Sequence, residues 1–201
     1  MSMSTSPSRR TLGSVAAFLL AAGLLAGCTI SPGRSSEVDC PVEESELLLL
    51  AAQAVPSATL LPCVVAFPAG WWYGGSDVRR ENARFWLTSD RAGFHAVEVS
   101  LTRSCRTIGA LDMTASTREV GVEEFVRTYD LDPYMADRYF VFPGGCVTYR
   151  YRFAAGALTT LALEVDQAVT FGPRTALVEL VEDDFGLTLC GAGAPPCVDV
   201  G

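Results

Sequence analysis

Between positions 84 and 101, apolar and polar residues alternate as they do in a β-strand with one buried face. The segment 84–89 places Phe85 and Leu87 on one face. The residues on its other face are Arg84, Trp86 and Thr88. A turn at residues 90–93 then leads into a second strand, so the pattern predicts a hairpin. One face of that second strand is expected to carry His95, Val97, Val99 and Leu101.

A second alternating pattern extends over residues 137–153. The segments 137–142 and 146–153 are separated by Pro143, Gly144 and Gly145, which favour a turn. We therefore predict a second hairpin. The inward positions of its later strand are Val147, Tyr149, Tyr151 and Phe153.

Four other segments space their apolar residues as a helix does. The first is rich in helix-forming residues and covers residues 43–54, and the second covers residues 121–129. Two more, residues 158–169 and 173–185, follow the second hairpin, and Pro173 is expected to open the last of them. Hairpins with helices gathered at both ends predict an α+β fold, in which an antiparallel sheet of hairpins has its helices packed on one face.

The N-terminal pattern is that of an export signal. Arg9 and Arg10 precede an uncharged, apolar segment from Leu12 to Ala26. This segment is shorter than the roughly 20 residues that span a bilayer as a helix, and its positive flank is the one that an export signal requires. We therefore interpret residues 1–27 as a signal peptide, and both the general and the twin-arginine export route stay open.

The signal ends at Leu25-Ala26-Gly27-Cys28, which resembles the lipobox of bacterial lipoproteins. The resemblance implies that the leader is cut before Cys28 and that its thiol carries a diacylglycerol. The mature protein would then be held on the outer, extracytoplasmic face of the cell membrane by its acyl chains. The alternative is that Cys28 is an ordinary small residue in a leader cut elsewhere. Because arginine is the only basic residue used, the chain further resembles envelope lipoproteins of actinobacteria.

The rest of the chain divides into a tether and one domain. Residues 28–39 are polar and contain Pro, Gly and Ser, so they are expected to be a flexible tether. Residues 40–201 have the length of a single globular domain. Two of the 15 basic residues lie in the leader, and the remaining 13 against 23 acidic residues give a formal charge of −10. This charge disfavours nucleic acid as a partner, and the membrane would be reached only through the lipid on Cys28.

Six cysteines follow Cys28, and an even number in an exported chain predicts a disulfide framework. Six cysteines allow 15 connectivities, so each pairing is a hypothesis. They are Cys40, Cys63, Cys105, Cys146, Cys190 and Cys197.

The positions of these cysteines relative to the predicted elements suggest three pairs. Cys190 and Cys197 enclose a short loop of Gly, Ala and Pro, so we predict first that they pair with each other. Cys105 closes one predicted strand and Cys146 opens another, which predicts a cross-strand bridge. Cys40 and Cys63 would then be left to clamp the first helix.

The sequence contains no recognisable catalytic group. The absence of lysine excludes Schiff-base chemistry, a Walker-type lysine and a Ser-Lys dyad. Any Cys146 nucleophile would depend on His95, the only histidine, which is expected to be structural on the apolar face of a strand. The cysteines also lack a CxxC pair, the usual beginning of a zinc or redox site. We therefore predict no catalytic residues, no metal site and no cofactor.

Two groups of residues are candidates for binding, and the first is the aromatic run Trp71, Trp72 and Tyr73. Neighbours in an extended chain point to opposite faces, so the three cannot all enter one core layer. One interpretation is a stacking platform for a sugar ring or a partner. The other is that a helix covers the outward-pointing rings.

The second candidate is the polar face of the two hairpins. If the hairpins lie side by side, Arg84, Trp86, Arg150 and Arg152 share the side opposite the core. Guanidinium groups beside an indole suit a carboxylate, a phosphate or an acidic partner segment. The alternative is that these arginines pair with acidic residues of the protein itself.

The function that these observations favour is a non-enzymatic, lipid-anchored domain of the cell envelope. It would bind an envelope protein or a cell-wall component. One alternative is an envelope hydrolase that uses acidic residues, which requires two carboxylates in one cleft. Another is a small-ligand-binding lipoprotein with an aromatic and arginine site, which requires the segment 71–73 to border a pocket.

Overall fold

An antiparallel sheet of seven strands dominates the part of the chain that the structure, a computed structural model, describes: residues 45–117 and 120–198. In chain order the strands are β1 (Leu60–Val64), β2 (Trp71–Arg79), β3 (Asn82–Ser89), β4 (Gly93–Thr102), β5 (Leu111–Asp112), β6 (Glu123–Leu131), β7 (Tyr134–Phe142), β8 (Gly145–Arg152) and β9 (Val169–Pro173). The order in the large sheet is β2-β3-β4-β8-β7-β6-β5, and β1 pairs separately with β9. The helices are α1 (Ser45–Ala54), α2 (Leu161–Ala168) and α3 (Arg174–Phe185).

The two predicted hairpins form the centre of this sheet. Strands β3 and β4 make the first hairpin and β7 and β8 make the second, each antiparallel along its length. The hairpins join through β4 and β8, where Val99 lies opposite Tyr149. The hairpins therefore lie side by side, which is the arrangement on which the prediction of a shared polar face depends.

The helices pack on one face of the large sheet, which we call the inner face. Buried residues from all three helices, such as Ala51, Val165 and Val181, belong to one apolar cluster with Phe85 and Tyr149 of the sheet. This packing confirms the predicted α+β class with an antiparallel sheet. None of the helices within the described ranges has the length and apolar character needed to cross a membrane.

Strand β6 replaces the helix that the sequence pattern predicts at residues 121–129. Val122, Phe125 and Val126 have helical spacing, but β-branched and aromatic side chains favour extended backbone. The segment pairs with β7, where Val126 lies opposite Arg138. This pairing satisfies backbone groups that a short exposed helix would leave to water.

The two C-terminal helices are confirmed, although α2 is shorter than predicted. The helix ends at Ala168, and Val169 begins β9 instead of completing the helical pattern. Val169 and Phe171 are buried there, where pairing with β1 and contact with the core outweigh the helical spacing. Helix α3 begins directly after Pro173 and is followed by Gly186, whose φ of 61° closes the helix in the left-handed conformation.

Two predicted disulfides are present, Cys105–Cys146 and Cys190–Cys197. Their Cα atoms are 5.8 and 4.8 Å apart, respectively, as is usual for disulfides. The first bridge ties the loop after β4 to the start of β8. Because Cys146 is bonded to Cys105, it serves here as a staple and offers no free thiol.

Other predictions lie wholly or partly outside the described residues. Cys63 is disulfide-bonded, but its predicted partner Cys40 is outside the described ranges. The same is true of the leader at residues 1–27 and of the tether with Cys28. These assignments stay predictions.

Candidate functional site

The outer face of the large sheet, which points away from the helices, carries four of the predicted site residues. Arg84 and Trp86 alternate along β3 with residues of the buried core, so they point outward. Arg150 and Arg152 alternate in the same way with buried tyrosines of β8. The structure therefore brings these four residues onto one surface.

A row of one indole and four side chains of alternating charge crosses this outer face at right angles to the strands. Cross-strand pairing places five residues from five neighbouring strands side by side: Trp86, Glu98, Arg150, Asp137 and Arg127. The Trp86 indole donates a hydrogen bond to Glu98 Oε2 at 3.1 Å, and Arg150 Nη1 donates to Glu98 Oε1 at 3.1 Å. Arg150 Nε lies 3.5 Å from Asp137 Oδ1. The strand register alone thus aligns opposite charges.

Toward the β6 end of this row, the contacts converge on Asp137. It is buried, and its carboxylate accepts hydrogen bonds from Tyr129 at 2.9 Å, from Tyr139 at 3.3 Å and from Arg152 Nη2 at 3.3 Å. The Arg152 guanidinium also lies over the Tyr129 ring, 5.6 Å from its centroid. Burial, followed by the charge of Asp137, raises the pKa of Tyr139 to about 12. This end is therefore a fixed network with one carboxylate shared by several donors.

At the opposite end of the row, four side chains form a stack. The ring centroids of Phe94 and His95 are 3.8 Å apart and those of His95 and Trp86 are 5.1 Å apart. The Arg84 guanidinium lies 5.3 Å from the Trp86 ring centroid. Phe94 is 77% exposed, so the stack ends in an aromatic ring open to solvent.

The position of His95 in this stack corrects the sequence prediction, which places it on the core face with Val97. Its φ is 48°, and the β3–β4 register shifts between Leu87 and Ser89. Such an irregularity moves the residues beyond it to the other face of the sheet. A ring nitrogen of His95 lies 3.0 Å from the Gly74 carbonyl oxygen, and a Cβ at Gly74 would be only 3.0 Å from the His95 ring.

Arg84 is also held by an acidic residue of the edge strand β2. Its Nη2 donates to Asp77 Oδ2 at 2.6 Å and its Nε donates to the same oxygen at 3.2 Å. Hydrogen bonds from Arg84 and then Arg79 lower the pKa of Asp77 below its ordinary value. The predicted alternative, in which outer-face arginines pair with the protein's own acids, therefore describes Arg84, Arg150 and Arg152.

The aromatic run at the start of β2 is divided between core and surface. Trp71 is buried, and its indole donates to Glu164 Oε2 of α2 at 2.8 Å. Trp72 is 48% exposed and Tyr73 is also exposed. Alternation places Trp72 on the outer face, on the same side as the stack. Helix α2 thus contacts the inward ring of Trp71, while the outward-pointing ring of Trp72 stays at the surface instead of being covered by a helix.

None of the sequence-based predictions places Phe94, Glu98 or Asp137 on this face. Glu98 alternates with valines in β4, and Asp137 is a charged residue within a strand of large apolar side chains. This alternation was the available signal for both acids. The exposure of Phe94 depends on the irregular backbone at His95, for which the sequence offers no comparable signal.

The outer face carries its aromatic rings near the β2 edge of the sheet, and its arginines and shared carboxylates lie from there toward β6. Within the described ranges, no three His, Cys, Asp or Glu side chains are grouped as they would be around a metal ion. Comparisons of the chain with models of protein families, with curated proteins and with solved structures gave no match.

Proposed function

We propose that this protein is a lipid-anchored, extracytoplasmic domain of the cell envelope that binds an acidic segment of another envelope protein through its outer face, without catalysing a reaction. The observation that carries the proposal is the combination of an exposed aromatic stack with arginines whose tips remain at the surface. The side chain of Arg150 is 45% exposed even though it contacts Glu98 and Asp137. The lipid on Cys28 would hold this surface close to the membrane.

Charge supports an acidic partner. On its four central strands, β3, β4, β8 and β7, the outer face carries three arginines against two acids, whereas the mature chain has a formal charge of −10. The arginines are Arg84, Arg150 and Arg152, and the acids are Glu98 and Asp137. The centre of the face is thus a local positive region on an acidic protein, and a partner of opposite charge would be favoured there and repelled elsewhere.

The composition of the face also suits a protein segment. Aromatic and arginine side chains are enriched at the centres of protein interfaces. Phe94 and Trp72 offer apolar area, while Arg150 and Arg152 can each make bidentate hydrogen bonds to a carboxylate. The network beneath them fixes the positions of these arginines before a partner arrives, which lowers the entropic cost of binding.

Site-specific photo-crosslinking in intact cells tests the proposal. A photoreactive amino acid replaces Phe94 or Arg127 in the full chain, and the matched control replaces Leu187, which is exposed but lies outside the outer face. We expect the same crosslinked protein at positions 94 and 127 and not at 187. Peptide mapping should place the crosslink in an acidic segment.

The double variant Arg150→Ala/Arg152→Ala supplies the second half of this test. With both guanidinium groups removed, the crosslinks at positions 94 and 127 should fall at least about tenfold, since each charge-assisted hydrogen bond contributes roughly 1.5–3 kcal/mol. Unchanged crosslinking in a variant that folds normally would contradict the proposal. A Cys28→Ala variant tests the anchor separately, because it should move the protein from the membrane fraction to the soluble fraction.

A further inference from the structure

Two adjoining cavities lie on the inner face of the large sheet, between strands β6–β8 and helix α2. The first has a volume of about 240 Å³ and the second about 540 Å³. Ligand sites commonly range from roughly 300 to 1,000 Å³, so the pair has the size of a site for a small molecule. The residues that line both cavities are Ser116, Glu124, Arg138, Leu163 and Asp166.

A group of three charged residues, Glu124, Arg138 and Asp166, lines both cavities. Arg138 Nε donates a hydrogen bond to Glu124 Oε1 at 2.8 Å, and its Nη1 donates to Asp166 Oδ2. The Tyr151 hydroxyl donates to Asp166 Oδ1 at 2.7 Å. Glu124 is only 2% exposed, whereas Arg138 and Asp166 are partly exposed. Although burial opposes its charge, the carboxylate of Asp166 keeps the pKa of Arg138 above its ordinary value.

This group retains unused hydrogen-bonding capacity toward the cavities. The bonds from Arg138 to the two carboxylates use Nε and Nη1, which leaves Nη2 without a partner among the described residues. Asp166 is partly exposed and each carboxylate oxygen can accept more than one hydrogen bond. A ligand would therefore meet donors and acceptors together at one place.

The wall of the first cavity beside these charges is aromatic, and the Arg138 guanidinium lies 5.3 Å from the Phe140 ring centroid. Phe140, Tyr149 and Phe171 line it, and the Phe140 ring centroid lies 4.9 Å from that of Tyr149 and 5.1 Å from that of Phe171. Gln167 and the hydroxyl groups of Ser116 and Thr117 complete the rim. The cavity thus combines an apolar, ring-shaped floor with a polar edge.

The charge of the residues that line the cavities restricts the class of ligand that can bind there. Glu124 and Asp166 against Arg138 leave the lining one negative charge in excess, and the other described lining residues are uncharged. An anion would be repelled by this excess. A neutral molecule with several hydroxyl groups can donate to the carboxylates and accept from Arg138, while its C–H face lies on the aromatic floor.

We propose that these cavities bind a neutral saccharide, with one sugar ring on the aromatic floor of the first cavity and the attached unit toward the second. This site is separate from the outer face and would serve a different ligand. Both carboxylates of the hydrolase alternative are present here, but each is engaged by the same guanidinium. Their arrangement holds hydroxyl groups and leaves neither carboxylate free to transfer a proton to a glycosidic oxygen.

Calorimetric titration of the full-length protein tests this proposal. The protein is extracted in a detergent without a sugar headgroup and titrated with a panel of neutral mono- and disaccharides, including glucose, N-acetylglucosamine and their β-1,4-linked dimers. Gluconate is the charged comparator. We expect at least one neutral sugar to bind, and to bind about tenfold or more tightly than gluconate.

Two variants locate the binding. Asp166→Asn should weaken sugar binding about tenfold or more, because it removes charge-assisted hydrogen bonds at nearly constant volume. Leu163→Trp should obstruct both cavities from the surface of α2, because Leu163 is 59% exposed and lies outside the core cluster. Leu187→Trp is the matched control, since Leu187 is also 59% exposed and lines neither cavity.

The outcomes separate clearly. Sugar binding that is lost in Leu163→Trp and retained in Leu187→Trp, with unchanged thermal unfolding, supports the site. Failure of the entire panel, a preference for gluconate, or sugar binding that survives Leu163→Trp would overturn the proposal. None of these results depends on crosslinking at the outer face.

Discussion

Asp137 and Arg138 are neighbours in β7, yet each belongs to a different network of arginines and carboxylates on opposite faces of the same sheet. On the outer face, Asp137 is shared by Arg150, Arg152 and two tyrosines. On the inner face, Arg138 is shared by Glu124 and Asp166. The two networks use the same residue types in nearly mirrored roles.

The difference between the networks lies in the exposure of their arginines: the side chains of Arg150 and Arg152 are 45% and 37% exposed, whereas that of Arg138 is 26% exposed. The outer arginines keep their tips in solvent, so water can replace a lost contact and the protein can offer the same groups to a partner. On the inner face, removal of Arg138 would leave the buried Glu124 without a counter-charge among the described residues. The outer network should therefore tolerate the loss of one arginine, whereas the stability of the fold should depend on Arg138 in the inner network.

The substitution Arg138→Met should break the inner network and have the largest effect. It leaves the Glu124 carboxylate buried and unpaired, which typically costs about 3–5 kcal/mol. We expect about 3 kcal/mol here, since 26% of the Arg138 side chain is exposed and water can relieve part of the penalty. Urea unfolding of this variant measures the change in the free energy of unfolding.

Arg150→Met is the matched control for Arg138→Met, because the same substitution then removes an arginine from the outer network. A double variant, Glu124→Gln/Arg138→Met, should regain part of the lost stability by removing the stranded charge. If Arg138→Met and Arg150→Met cost the same, the contrast between the two faces would be wrong.

A titration of the tyrosines to alkaline pH should sharpen the comparison. Burial, then the charge of Asp137, raises the pKa of Tyr139 to about 12, and burial, then Asp166, raises the pKa of Tyr151 well above its ordinary value. Both folded-state values exceed the unfolded value of about 10. The stability that each contributes is therefore complete below about pH 10 and is lost as the pH rises through the folded-state pKa.

Tyrosinate absorbance measures this order directly. Of the six tyrosines, Tyr139 should ionise near pH 12, and Tyr151 should ionise later or only with unfolding. Tyr139→Phe and Tyr151→Phe assign the two steps by removing them one at a time. A single step of all six tyrosines near pH 10 would show that neither network restrains its tyrosine.

The elements that the sequence predicts correctly are those in which local pattern and final environment agree. Strict alternation identifies both hairpins, and Tyr149 is inward in the structure as predicted. The spacing of Cys190 and Cys197 similarly predicts a bridge that is present. Where pattern and pairing conflict, as at residues 121–129, the neighbouring strand decides the structure and the local spacing misleads.

The inner network could not be predicted from local sequence pattern, for a different reason. Glu124, Arg138 and Asp166 come from β6, β7 and α2, and they meet only because the strand register and the return of the chain over the sheet bring them together. One signal was available. Alternation in β7 places Arg138 on the same face as Phe140 and Phe142, and a charged residue on an apolar face indicates a buried partner.

The smallest effect is expected for Arg150→Met, which tests whether the outer network is as replaceable as its exposure indicates. Glu98 would keep the hydrogen bond from the Trp86 indole, and Asp137 would keep those from Tyr129 and Arg152. Neither acid is stranded, so the free energy of unfolding should change by no more than about 1 kcal/mol. Urea unfolding at low and high salt checks this, and the difference from the natural protein should shrink as salt screens the pair. A cost above about 2 kcal/mol that is insensitive to salt would mean that Arg150 is as essential to the fold as Arg138, and that its exposed tip is not spare capacity for a partner.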